Sequence, residues 1–293
     1  MPDSSQPAIR LIVSDLDGTL LNTAHQITPF TDAAVRVAIE QGVLFTVATG
    51  KTFPSTEDVI QRYGITIPVI TNNGTVLNGV DGSMIWERPI PLDIALESIE
   101  LARREGILPI VYAGPELIVA PLNGSHDAID RNMAILMAHY EPAARVVDDL
   151  AQALTDAYKP HKIIFMNADD LPSVAAFQDT LAETFAGRAD VMRSGLISLF
   201  EILPRGVSKA NALAVLLDYL DIDPAETMAV GDNSNDLEMI RMAGVGVAMG
   251  QSPDAVRAQA DYVTGTNDED GVGHAIHTFV LTPSIADRPT RNH

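Results

Sequence analysis

Two acidic clusters stand out by their spacing. Asp15-Leu16-Asp17-Gly18-Thr19 follows the apolar run 9–14, and Gly231-Asp232-Asn233-Ser234-Asn235-Asp236 follows the apolar run 228–230. Carboxylates two residues apart at the end of a strand repel one another unless the loop is open to water or a cation neutralises them. An Asp-Gly dipeptide alone is an ordinary turn, but a second acidic cluster in the same relation to a strand is not explained by turn chemistry. Hard oxygen ligands converging from separate loops are what Mg²⁺ takes, with water or a substrate phosphate in its remaining positions. Two further features point to an anion. Thr49-Gly50 ends the apolar run 43–48, and a hydroxyl with a free backbone N–H at the start of a helix forms a phosphate cradle. Lys209, in Gly206-Val207-Ser208-Lys209, opens a helical segment. A lone lysine on a helix is ordinarily solvated, yet the dipole at a helix N-terminus disfavours a cation. The placement is easier to understand with an anion beside it.

The elements that hold these residues read clearly in the outer parts of the chain. Strand 9–14 is followed by a helix with Thr31 as its cap, carrying Ala33, Ala34, Val37 and Ala38 at helical spacing until Gly42 stops it. Strand 43–48, helix 53–63 and strand 68–71 continue the alternation. It returns as helix 208–220, strand 227–230, helix 235–242, strand 245–249 and helix 253–260. Strands alternating with helices predict an α/β fold with a doubly wound, Rossmann-like parallel sheet, whose ligands gather at the carboxyl ends of the strands. Between the two halves the texture changes. Asn73-Gly74 and Asp81-Gly82 punctuate short extended runs at 76–77 and 84–86, a hairpin signal. Helices 92–104, 128–139 and 174–185 then alternate with strands 108–112, 162–166 and 198–202. The expected organisation is a discontinuous core, 1–81 and 201–293, split by an inserted α+β cap over 82–200 with its own mixed sheet.

Composition narrows the function classes. With 19 Lys plus Arg against 39 Asp plus Glu in 293 residues, the formal charge is −20, which repels the nucleic-acid backbone and anionic lipid. Any phosphate site therefore needs its own local cations. The absence of cysteine excludes disulfides, thiolate zinc sites, iron–sulfur clusters and a cysteine nucleophile, and fits a reducing compartment. No run approaches the ~18 apolar residues of a membrane span, and the first ten residues lack the apolar core of a signal peptide. The last eleven are polar and proline-broken and read as a frayed tail. A soluble, cytoplasmic protein without nucleic-acid or membrane partners, monomeric or a weak homo-oligomer, is expected.

The four ordered motifs, from Asp15 to Asp236, resemble those of the haloacid dehalogenase superfamily of phosphotransferases. The inserted domain between the second and third motifs, with Asn73-Gly74 after the third strand, is similar to the Cof-type subfamily. The resemblance implies a phosphatase acting on a small phosphorylated metabolite through an aspartyl-phosphate, the cap excluding macromolecules. It assigns Asp15 as nucleophile and Asp17 as general acid/base. Asp15, the backbone carbonyl of Asp17 and Asp232 would hold Mg²⁺. Thr49, Gly50 and Asn235 would contact the phosphate, Lys209 would offset charge on nucleophile and phosphate, and Asp236 would orient Lys209 or metal-bound water. Asp17 favours phosphoryl chemistry, since dehalogenating members lack the second aspartate. Lys51 departs from the pattern, where arginine is common; lysine supplies only a point charge there. A phosphomutase on sugar phosphates uses the same aspartate pair, and a non-catalytic phosphometabolite binder would show decay of a motif.

Some patterns mislead. Gly50-Lys51-Thr52 imitates the end of a P-loop, but the glycine needed five residues earlier is Phe45. The glycines of 244–250 are wrongly spaced for a dinucleotide turn and read as a buried strand. His274 and His277 lack a nearby third ligand, and the methionines and Trp86 read as core or cap-packing residues.

Overall fold

The computed structural model describes residues 7–122, 124–138, 141–154, 158–167, 169–193 and 199–282. The expected tail at 283–293 and the first six residues lie outside them, as do His139 and Ser198 at the ends of two expected elements. Elements β1 (Leu11–Ser14), α1 (Pro29–Glu40), β2 (Leu44–Val47), α2 (Glu57–Tyr63), β3 (Val69–Thr71) and β4 (Val76–Asn78) open the chain. There follow β5 (Met84–Glu87), α3 (Leu92–Arg104), β6 (Leu108–Ala113), β7 (Glu116–Val119), α4 (Asp127–Ala138) and β8 (Arg145–Val146). Next come α5 (Leu150–Ala153), β9 (Lys162–Met166), α6 (Leu171–Thr184), β10 (Ala189–Arg193) and β11 (Phe200–Pro204). The chain closes with α7 (Lys209–Leu220), β12 (Thr227–Gly231), α8 (Leu237–Met242), β13 (Val245–Ala248), α9 (Asp254–Arg257), β14 (Tyr262–Val263) and α10 (Gly271–Ile276).

Two compact units result. The first takes the described residues of Met1–Thr49, Asp58–Asp81 and Ser208–His293; the second takes those of Gly50–Glu57 and Gly82–Val207. In the first unit, five strands run in the order β14-β13-β12-β1-β2, every neighbouring pair parallel. Every residue of β1, β12 and β13 is buried. That is why they read as unbroken apolar runs rather than alternating ones: helices cover both faces of a parallel sheet. The α/β class with a parallel core sheet is thus the observed one. One cap differs from expectation. Thr28, not Thr31, caps α1, accepting the Thr31 N–H at 3.3 Å, with Pro29 preset at the first helical position. Thr31 is buried and donates to Asp270 instead. The helix expected over 53–63 begins as a 3₁₀ turn through Pro54 and becomes α-helical at Glu57.

The second unit carries a six-stranded mixed sheet, β10-β11-β9-β6-β7-β8, antiparallel except for β7 with β8. β11 pairs with both β9 and β10, so residues 201–204, expected in the core domain, belong to this sheet instead, and the unit ends only after Val207. Alternation sorts the strands onto two apolar layers. Val111, Ile163, Phe165 and Phe200 pack with residues of α3 and α6 on one side. Ile110, Ile164 and Met166 pack with Ile129, Met133 and Leu136 of α4 on the other. Among the described residues no helix is long and apolar enough to cross a membrane.

Candidate active site

Parallel pairing brings the carboxyl ends of β1, β2 and β12 to one edge. Ser14 is in register with both Val47 and Val230, so Asp15, Thr49 and Asp232 all emerge within two residues of that line. The Asp15 N–H donates to the Val230 carbonyl at 2.9 Å, which ties the first loop to the strand carrying the last. The loop after Asp15 then closes on itself, Leu20 N–H to the Asp15 carbonyl at 3.2 Å and Leu21 N–H to that of Leu16 at 2.9 Å. Gly18 lies at φ +79°, and a Cβ there would stand 2.7 Å from Asp232 Oδ2. Only glycine permits both that backbone and that approach. At Gly231 the approach alone excludes a side chain: a Cβ would meet the Asp236 Cβ at 2.4 Å.

Lys209 is the first residue of α7 and 1% exposed. Its Nζ lies 2.5 Å from Asp15 Oδ1 and 2.6 Å from Asp236 Oδ1. The adverse position at a helix N-terminus is thus answered by two carboxylates, and the solvated lysine is excluded. The β3–β4 turn sets the start of this helix. Gly74, at φ +88°, packs where a Cβ would be 2.2 Å from the Ser208 carbonyl oxygen. Asp236 is fully buried and has both oxygens committed, Oδ1 to Lys209 and Oδ2 to the N–H groups of Asp232 and Asn233, each at 3.0 Å. Asp232 accepts from the Thr19 hydroxyl at 3.3 Å.

Burial opposes the Lys209 ammonium, but Asp15 and Asp236 outweigh it and hold the lysine charged above its usual range. The carboxylates carry the imbalance. Burial pushes Asp15 well above the usual carboxylate range; Lys209 pulls it down, and Asp236 and Asp232 add to the rise. Asp232 is pushed up to about 6 by burial and by Asp236. When all three carboxylates are ionised, the cluster with its one ammonium is two charges short of neutral, the amount one divalent cation offsets. One oxygen from each of Asp15, Asp232 and Asp236 lies within 4.8 Å of the others. Asp15 and Asp232 offer hard oxygen donors that fit such an ion, while both oxygens of Asp236 are already engaged.

The remaining candidates are placed as follows. The Asp17 side chain is 38% exposed, with Oδ1 at 3.5 Å from His25 Nδ1. Thr49 is buried, its N–H committed to the Ile70 carbonyl at 2.9 Å. The helical turn after it starts at Phe53 rather than at Gly50, so a phosphate cradle here would be built from the loop and not from a helix end. Asn235 donates to Asn73 Oδ1 at 3.1 Å. In the second unit Gly50 is half-buried and Lys51 buried, with its charge reaching Glu141. Thr19, Asn73 and His25 were not anticipated. Asn73 was legible only as a turn residue, and its φ of +58° is indeed the turn's. His274 and His277 flank the Phe30 ring, with centroids 4.8 and 5.1 Å away.

Comparison with known proteins identifies the family. Residues 12–276 match the family model described as haloacid dehalogenase-like hydrolase. Phosphatase YwpJ of Bacillus subtilis is 31% identical over 283 residues, covering 91% of this chain and 98% of its own. Pyridoxal phosphate phosphatase YbhA of Escherichia coli is 27% identical, covering 93% and 99%. The chloroplastic endoribonuclease YBEY of Arabidopsis thaliana is 28% identical over 94% of this chain, which spans about half (47%) of that protein's length. A haloacid dehalogenase-like hydrolase from Bacteroides thetaiotaomicron superposes with a TM-score of 0.79 at 29% identity, covering 92% of this chain and 98% of that one. With the four motifs in order on a parallel sheet and the match running through nearly the whole sequence, the chain belongs to the haloacid dehalogenase-like hydrolases of the Cof type.

Proposed function

We propose that the protein is a Mg²⁺-dependent phosphatase of small phosphorylated metabolites that works through an aspartyl-phosphate on Asp15, in a cytoplasmic setting. The observation that carries the reading is the cluster of buried Asp15, Asp236 and Lys209 with half-buried Asp232 at the carboxyl edge of the sheet, two charges short of neutral when its carboxylates are ionised. The relatives named as phosphatases, one of them for pyridoxal phosphate, support a small phosphomonoester as substrate.

In this reading Asp15 attacks phosphorus and the leaving oxygen takes a proton from Asp17, whose partial exposure lets it exchange protons with the substrate and with water. Asp17 then draws a proton from the water that hydrolyses the acyl-phosphate. Thr49, Gly50 and Asn235 hold the phosphoryl oxygens, and Lys209 offsets charge on Asp15 and on the phosphate. Asp15, the Asp17 carbonyl and Asp232 would hold Mg²⁺, with Asp236 fixing Lys209 and the 232–233 backbone. When bound, the ion supplies Lewis-acid stabilisation of charge on the transferring phosphoryl group.

The direct test is phosphate release from a panel of phosphomonoesters with Mg²⁺, with chelator, and with Asp15→Asn as blank. Metal-dependent release absent from the blank supports the reading. Isomerised ester without free phosphate would instead identify a mutase. Asp17→Asn is expected to slow turnover by about 10²–10⁴-fold while Mg²⁺ binding, followed by calorimetry, largely persists because the ligand is a carbonyl. A near-normal rate would mean that another group moves the proton.

The raised proton affinity of Asp232 has a measurable sign. With a folded value of about 6 against 3.8 for the unfolded chain, the native state holds the proton between those limits and the unfolded state does not. The metal-free protein therefore gains stability from this residue as pH falls through the window and loses it as pH rises. In chelator, Asp232→Asn should raise Tm relative to the parent more at about pH 7 than at about pH 4. A constant difference would show that burial does not strain this carboxylate.

A further inference from the structure

Segment 50–57 follows β2 in sequence yet groups with the inserted unit, and two buried charges hold it there. Lys162, the first residue of β9, is 4% exposed, and its Nζ donates to the Gly50 carbonyl at 2.6 Å. Glu201 Oε2 lies 3.3 Å from that ammonium, and the Tyr112 ring centroid 4.0 Å. The Tyr112 hydroxyl donates to Glu141 Oε1 at 3.0 Å, while Glu141 Oε2 accepts from the hydroxyls of Thr52 and Ser55, each at 3.4 Å. Gly50, Thr52 and Ser55 are thus tied to one buried network.

Packing alone does not call for a lysine at this place. Position 162 faces the layer in which Ile164 and Met166 are apolar, and an apolar residue there would avoid the desolvation of two ions. What the lysine adds is a bond to a main-chain carbonyl. Gly50 has no side chain to restrict its backbone, so an external donor on its carbonyl is what fixes the plane of the Gly50–Lys51 peptide.

We propose that Lys162 is a positioning residue for the phosphate-binding turn, acting through the Gly50 carbonyl, with Glu201 and Tyr112 steering its ammonium and Glu141 anchoring Thr52 and Ser55. The turn is held in its binding conformation before substrate arrives, so the cost of ordering it is not charged against phosphate affinity. This rests on Thr49 and Gly50 being the phosphoryl contact. It extends that reading by assigning the turn's geometry to a side chain more than a hundred residues away.

The test compares the parent, Lys162→Met, and the double variant Lys162→Met/Glu201→Met, which leaves no carboxylate of the pair stranded if the single variant fails to fold. KM, kcat and the competitive inhibition constant of inorganic phosphate are measured on the best ester, with Tm alongside. The expected result is a parallel rise of about tenfold in KM and in the phosphate inhibition constant, with kcat reduced less than about threefold. A purely structural role would lower Tm and leave both constants in place. That outcome in a folded double variant overturns the positioning role while the phosphatase reading stands. A parent that releases phosphate from no ester overturns both.

Discussion

Asp15→Asn is expected to abolish turnover, by at least about 10⁴-fold in kcat, in a protein that folds as well as its parent or better. Asparagine keeps the shape of the side chain and removes its charge, so the nucleophile is lost without a cavity. Burial and the neighbouring carboxylates of Asp236 and Asp232 work against the Asp15 charge, and deleting that charge relieves them. Lys209 keeps Asp236, which it meets at 2.6 Å. Phosphate release and thermal melting on the same preparation check both halves. Retained release in a folded variant would discard the covalent route through Asp15. A large fall in Tm would mean that the Asp15–Lys209 pair outweighs the crowding of the three carboxylates.

Lys209→Met is expected to damage both stability and rate. Its ammonium faces two buried carboxylates directly, with Asp232 beside them. Removing the cation leaves buried negative charge without its partner, a change that costs about 3–5 kcal/mol, whereas a solvated surface lysine changes stability by less than about 0.5 kcal/mol. The loss should shrink in acid, where the carboxylates take up protons and no longer need a counter-charge. Turnover should fall by about 10²-fold or more, as expected for a group stabilising developing charge. Urea unfolding at two pH values together with phosphate release provides the check. A stability change within the range of a surface residue would contradict the buried pairing.

Much of the site was legible because it is written in strand ends. In a parallel sheet the residue following each apolar run must arrive at the common edge, so Asp15, Thr49 and Asp232 converge once β1, β2 and β12 are recognised as neighbours. Lys209 was legible as a misfit, a cation where the helix dipole rejects one, and its two carboxylates resolve the misfit. Asn73 was not, because an asparagine at a turn is fully accounted for by its backbone conformation and nothing local reveals Asn235 across from it. The Thr28 cap was hidden by a second threonine three residues on; Pro29 was the signal that separates them. Strands β7, β8, β10 and β14 were missed, all at or next to a sheet edge, where their pairing partners rather than their own sequence define them.

The passage of residues 50–57 into the second unit bears on how such enzymes can be rebuilt. The inserted unit is made from two stretches of chain, one of them only eight residues long and lying upstream of the apparent insertion point. Deleting 82–207 and joining Asp81 to Ser208 would remove Lys162 from the Gly50 carbonyl and Glu141 from the Thr52 and Ser55 hydroxyls. Exchange of the inserted unit between relatives, in the laboratory or by recombination, has to move both stretches as one cassette. A crossover placed between residues 57 and 82 yields a chimera whose two halves disagree about a turn that neither can hold alone.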